Sequence, residues 1–161
     1  KKIYFEAFPK EERIPLYFLK LKSKKENIDF LNIYDEETWI GFIYIVSYKD
    51  ISFISFLAID KSFRGKGYGS KVLKNIIEKY KNNRIILNIE EIDVNADNYM
   101  QRLKRKKFYE KNGFKDNNLK IKEVKIMYEM MYYKDKVSRN EYDKIMEYFL
   151  GKFIYYFIKE N

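Results

Sequence analysis

Residues 51–73 read ISFISFLAIDKSFRGKGYGSKVL, and the fold turns on this stretch. Its first nine residues, Ile51–Ile59, are apolar nearly throughout, the pattern of a central strand covered on both faces. Three of the chain's 6 glycines, Gly65, Gly67 and Gly69, come soon after. Beyond them Val72, Leu73, Ile76 and Ile77 form the i, i+1, i+4, i+5 stripe of a core-facing helix that runs to about Tyr80. Glycine between a strand and a helix lets the backbone approach a ligand closely and adopt conformations other residues avoid. The free amides of the helix's first turn point outward, with the positive end of the helix dipole behind them. Such a loop suits an anion, phosphate above all. Two familiar phosphate loops fit badly. A Walker loop needs Gly-Lys-Ser/Thr after its spacer, whereas Gly69 is followed by Ser70-Lys71, and the dinucleotide fingerprint needs glycine at position 70.

Upstream, residues 28–34 and Thr38–Tyr48 read as strands. The turn-like Asp35-Glu36-Glu37 and Lys49-Asp50 make links short enough for antiparallel hairpins. Before them, Pro9 and Pro15 flank a short helical stretch in which Ile14, Tyr17, Phe18 and Leu21 fall at helical spacing. Downstream, residues 84–89 form another apolar strand, followed by the acidic EEIDVNADN. A second helix spans about Tyr99 to Asn112 and stops at Gly113, a favourable residue just past a helix end. Two short strands fit residues 119–133. Ser138-Arg139-Asn140-Glu141 is a capping-box pattern. It opens a single amphipathic helix carrying Tyr142, Ile145, Met146, Phe149, Leu150, Phe153, Ile154, Phe157 and Ile158. That stripe suits packing on the domain, or between two copies in a homodimer.

Composition removes whole classes of chemistry. The chain has 161 residues, no Cys and no His. There is therefore no disulfide framework, thiolate nucleophile, imidazole base, or cysteine- or histidine-ligated metal site. No apolar run reaches the roughly 18 residues of a membrane span. The N-terminus turns charged too soon for a signal peptide, so a cytoplasmic location is the default expectation. The net charge of +9 is unevenly spread. Residues 61–81 carry net +6 and residues 99–125 net +7, as a polyanion site requires. The basic residues show no RNA-binding signature, which speaks against nucleic acid.

The spacing Arg64-x-x-Gly67-x-Gly69 resembles the acetyl-CoA loop of the GNAT superfamily of acyl-CoA N-acyltransferases. FYEKNGF, residues 108–114, resembles that family's second signature, and the order of strands and helices agrees. The likeness covers residues 1–133 as a GNAT-like domain and leaves residues 134–161 as a C-terminal helical extension. It implies an α/β fold with a mixed, mainly antiparallel sheet, splayed near its centre and flanked by helices. It also implies that the backbone of Leu57, Ala58 and Ile59 pairs with the pantetheine arm and stabilises the oxyanion. Arg64, Gly65, Lys66, Gly67, Tyr68, Gly69 and Ser70 would wrap the pyrophosphate. Tyr109 would protonate the departing CoA thiolate.

Three positions depart from the family. The Asn usually found seven residues before the Tyr is Arg102, which is expected to contact a phosphate instead, and the Ala three residues later is Arg105. Where the family often places a basic Glu, Asn88 stands. Glu90, two residues on and on the same face, is the candidate base, directly or through water. Glu91, Asp93 and Asp97 join it in an acidic loop that would attract a cationic acceptor. The resemblance thus implies an enzyme moving acetyl from acetyl-CoA to a primary amine by direct attack in a ternary complex, since no Cys exists to carry the acyl group. No metal is implied. Polyamine, aminoglycoside, small metabolite and peptide amine all stay open as acceptors. A non-catalytic acyl-CoA-binding or interaction module is the alternative, because fold alone does not decide function.

Overall fold

A computed structural model describes residues 2–10, 13–123 and 126–160. Its strands are β1 (Ile28–Asp35), β2 (Thr38–Tyr48), β3 (Ile51–Ile59), β4 (Arg84–Glu90), β5 (Lys115–Glu123) and β6 (Ile126–Tyr133). They form one sheet in the order β1-β2-β3-β4-β6-β5. Every neighbouring pair is antiparallel except β3 and β4, which run parallel. The helix joining those two, α3 (Tyr68–Lys79), supplies the crossover that a parallel pair requires.

The decisive feature lies inside β3. Along β2, Tyr44 faces Phe56 but the next residue, Ile45, faces Ile54, so Ser55 is an extra residue in the ladder. Such a bulge bends its strand and increases the local twist. The pairing of β3 with β4 covers only Ile51–Ile54 against Arg84–Leu87 and stops at the bulge. Beyond it β3 continues to Ile59 on the β2 side, while β4 continues to Glu90 paired with β6. The expected splay is thus present, with a local backbone cause.

Apolar side chains fill both faces of the sheet. On one, Phe42, Tyr44, Phe53, Phe56 and Met130 pack with α1 (Lys2–Ala7), α2 (Leu16–Lys22), α5 (Arg139–Leu150) and α6 (Lys152–Glu160). On the other, Ile43, Ile45, Ile54, Ile85 and Leu87 meet α3 and α4 (Tyr99–Lys111). The N-terminal region differs from expectation. Helix α1 precedes Pro9 and α2 starts after Pro15, where proline's fixed φ serves a helix start. The C-terminal stripe differs too. The capping box at Ser138 and Glu141 opens α5, but Gly151, at φ 96° and ψ 142°, ends it and a second helix begins. Tyr142, Ile145, Met146, Phe149, Leu150 and Tyr155 enter the core, whereas Phe153 and Phe157 face solvent. Arg84 fastens this unit to the sheet by pairing with Asp50 at 2.8 Å and Glu141 at 2.7 Å. The bond from Arg84, helped by those from Ser138, holds the Glu141 carboxyl down at about 2. No helix among the described residues is long and apolar enough to cross a membrane.

The close approach of β2 to β3 tests this geometry. A Cβ on Gly41 would lie 2.2 Å from the backbone oxygen of Ala58, so a strand must move to admit it. Gly41→Ala is expected to cost about 3 kcal/mol, the upper range for overpacking, seen as a lower urea midpoint.

Candidate active site

Where β3 and β4 part, a cleft of about 440 Å³ opens through the sheet. Its walls include residues 53–59 of β3, Leu87 and Asn88 of β4, Arg64 beyond β3, and Arg105 and Tyr109 of α4. Backbone polarity on β3 follows from two contacts. The Asp60 amide donates to the Ile40 carbonyl at 2.8 Å, and the Ala58 carbonyl lies against Gly41. Asp60 and Ala58 therefore turn their backbone groups toward β2. The two-residue period of the ladder turns those of Leu57 and Ile59 toward the cleft. Of the three residues expected to meet a pantetheine arm, the geometry thus separates Ala58 from the other two.

The glycine loop starts on Asp60, whose carboxylate accepts from the Ser62 amide and caps a short 3-10 turn, Lys61–Phe63. Arg64 folds back so that its Nε donates to the Ile59 carbonyl at 2.8 Å. Gly65 and Gly67 hold φ of +76° and +85°, the left-handed region that glycine enters freely. Gly67 caps α3, no side chain closes that helix end, and no acidic residue lies in the first turn. The amides at Tyr68, Gly69 and Ser70 therefore precede the first intrahelical bond, from the Lys71 amide to the Gly67 carbonyl. Gly69 plays a different part. A Cβ there would meet the Phe108 ring at 3.0 Å, so this glycine lets α3 and α4 approach. The Tyr68 hydroxyl donates to Asp35 at 2.5 Å, and the Lys66 ammonium lies 5.2 Å from the centre of the Phe63 ring.

Tyr109 stands in the cleft wall, 9% exposed, between the rings of Phe108 and Phe114. Burial pushes its phenol up to about 12, against a smaller opposing pull from Arg105.

Glu90 and Arg102 lie elsewhere than expected. Glu90 is buried, with Arg105 at 2.7 Å on one carboxylate oxygen and Arg102 at 3.2 Å on the other. Arg102 also donates to Asn98 at 2.7 Å and to the Glu91 carbonyl at 2.8 Å. Neither residue is among those lining the cleft, whereas Arg105 is. The other charges of this region pair likewise. Lys106 meets Glu129 and Asp116, and Lys120 meets Glu91. Part of the second basic segment thus neutralises the acidic loop, instead of leaving one for a phosphate and the other for an amine.

The face away from α3 and α4 holds a group that the sequence did not reveal. Glu123 lines the cleft and accepts from the Tyr142 hydroxyl at 2.6 Å. Tyr142 in turn accepts from Asn88 Nδ2 at 2.7 Å. Asn88 Oδ1 is shut off from solvent and has no partner among the described residues. Burial raises the Glu123 carboxyl, opposed by the Tyr142 bond and by Arg139. No spacing rule joins positions 88, 123 and 142. The one available sign was Tyr142 itself, a polar-tipped residue in an apolar stripe. No group of acidic residues that could hold a metal ion occurs among the described residues.

The acetyltransferase (GNAT) domain model matches residues 26–116. The chain belongs to the GNAT acetyltransferases. A search of curated protein sequences finds no match. Among solved structures, a GNAT-family acetyltransferase from Bacteroides thetaiotaomicron superposes with a TM-score of 0.72 at 23% identity, over 96% of this chain and 88% of that one. An aminoglycoside 6'-N-acetyltransferase in complex with coenzyme A gives 0.63 at 15%, over 81% and 86%. The Escherichia coli ribosomal-protein alanine N-acetyltransferase gives 0.60 at 15%, over 82% and 81%. At these identities the likeness concerns the fold. The GNAT chain described here keeps that fold.

Glu90→Gln tests the role of the buried ion pair. It leaves two guanidiniums facing a neutral amide, and a loss of about 2 kcal/mol in chemical denaturation is expected, below the 3–5 kcal/mol of fully buried pairs because both arginines keep solvent contact.

Proposed function

We propose that this GNAT protein transfers an acetyl group from acetyl-CoA to a primary amine by direct attack in a ternary complex. One observation carries the reading: the unpaired edge of β3 beyond Ile54 opens onto the same cleft as Tyr109, with the glycine loop just beyond the strand's end. The pantetheine arm would extend β3 as an extra strand, bonding to Leu57 and to the Ile59 amide, since Arg64 already holds the Ile59 carbonyl. The same amides would stabilise the oxyanion as the thioester carbonyl becomes tetrahedral. The amides of residues 65–70 would hold the pyrophosphate, with Arg64 and Lys66 beside them. Arg105 takes the place expected of Arg102, because Arg105 reaches the cleft. Glu90 would then serve by holding Arg105 in position.

Tyr109 is the proposed acid for the CoA thiolate. With a phenol at about 12 and a reference thiol near 8.5, donation looks uphill by about 5 kcal/mol. Burial raises a thiol as it raises a phenol, so inside the cleft the two are more nearly matched. The phenol keeps its proton up to about pH 12, so the acid form persists across the whole working range. Tyr109→Phe is expected to slow turnover about 100-fold, within the usual range for general acid help, while CoA affinity stays unchanged. Wild-type turnover should show no alkaline fall below about pH 11. Release of free thiol from acetyl-CoA in the presence of an amine panel measures both. CoA binding without any thiol release would favour the non-catalytic acyl-CoA module.

The loop is tested separately. A Cβ on Gly67 meets open space in the protein, so its cost to the fold is only the left-handed backbone, about 1–2 kcal/mol. Gly67→Ala should weaken CoA at least tenfold by calorimetric titration, because the Cβ would stand where the pyrophosphate must approach.

A further inference from the structure

We infer that the acceptor is a compact monoamine with an apolar body, held by Asn88 Oδ1 and deprotonated by Glu123. The inference rests on the acetyltransferase reading above and extends it to the other mouth of the cleft.

Three observations converge there. The first is the chain Asn88–Tyr142–Glu123. A phenol has one proton, and Tyr142 gives it to Glu123. Tyr142 can then only accept from Asn88, so Asn88 must present its amide nitrogen to Tyr142 and turn Oδ1 away. An acceptor atom left unpartnered costs free energy unless something bonds to it, and Asn88 lines the cleft, so a small turn of its side chain would present Oδ1 to a ligand there. An ammonium or amine N–H is the complement it lacks. Asn88 belongs to β4 at the point where the splay has opened, alongside the strand that would carry the thioester.

The second observation is charge. Among the described residues lining the cleft, Arg13, Arg64 and Arg105 are cationic and Glu123 alone is anionic. Such a wall repels a polycation but accepts one positive charge at Glu123. Glu90 is shared by two arginines, so that cluster keeps one net positive charge, and Glu91 is paired with Lys120. The third is the apolar lining on the same side: Phe8, Ile14, Phe56, Met146, Leu150 and Ile158. These residues come from near the N-terminus, from β3, and from α5 and α6.

The proton balance follows. The ammonium loses one proton to the Glu123 carboxylate, and the freed lone pair attacks the thioester carbonyl carbon. Nitrogen loses a second proton as the C–S bond breaks, and the sulfur leaves with the bonding pair and takes up a proton from Tyr109. The second nitrogen proton restores the phenol. The proton on Glu123 passes to solvent, so each turnover releases one proton, one N-acetyl amine and one CoA thiol.

The test uses the full chain with acetyl-CoA, following thiol release with 2-phenylethylamine, spermidine and a lysine-bearing peptide. Calorimetric CoA titration runs in parallel on the wild type, Glu123→Gln and Asn88→Ala. With 2-phenylethylamine, kcat/KM should exceed that for spermidine or the peptide at least tenfold. Glu123→Gln should turn over at least 100-fold more slowly, and Asn88→Ala should raise the amine KM tenfold. CoA affinity should stay within twofold in both variants, which also certifies that they fold. Preference for spermidine or the peptide, or CoA bound with no turnover of 2-phenylethylamine, overturns the acceptor class. Undiminished turnover in Glu123→Gln overturns the base. Absence of CoA binding in the wild type overturns the acetyltransferase reading itself, and this inference with it.

Discussion

The extra residue at Ser55 governs the molecule. A parallel pair would otherwise continue zipping β3 to β4, and each further rung would bury two backbone groups in a ladder. The bulge stops that at Ile54 and Leu87 and turns the strands apart. The backbone groups of Leu57 and the amide of Ile59 are then left facing a gap within an otherwise hydrogen-bonded sheet, while the Ile59 carbonyl accepts from Arg64. Backbone groups inside a sheet are rarely left so, and a ligand that can bond like a strand is the natural partner. The cleft is thus the part of the sheet left unfinished, held open by the apolar cores on the two faces.

Electrostatics divide the cleft into unlike ends. The positive charges lining the cleft are Arg13, Arg64 and Arg105, with the helix terminus of α3 beyond Arg64, and the one carboxylate among the described lining residues is Glu123. Helix α4 carries many more basic residues, but Arg102 and Lys106 face carboxylates on β4, β5 and β6. Those pairs bind α4 to the sheet, and the one at Glu90 also offsets part of the negative charge of the acidic loop. Local charge in the sequence and field in the folded chain are therefore different quantities here, because the opposite signs sit on elements that pack together.

Much of the fold could be read from periodicity. Ile51–Ile59 declared a central strand because it had no polar face, and the capping box at Ser138 marked a helix start that the structure keeps. The glycine spacing and residues 108–114 pointed to the family. What escaped the sequence were relations between distant residues. Nothing in ISFISFLAI marks Ser55 as the extra residue, since a bulge exists only relative to its partner strand. Glu90 looked available because its two arginines lie 12 and 15 positions away. The Asn88–Tyr142–Glu123 chain needs three elements to meet before it exists at all. Gly151 was present in the sequence, but an unbroken apolar stripe on both sides hid its effect.

That glycine shapes more than the path of the backbone. Without it, residues 139–160 could form one straight rod of roughly 33 Å at 1.5 Å per residue. The break lets the last helix change direction, so that Ile158 still reaches the cleft. One side of the cleft is therefore walled in part by α6 and the other by β3, β4 and α4. The two can diverge independently: drift in the residues after Gly151 would retune one wall of the cleft and leave the wall formed by β3, β4 and α4 untouched.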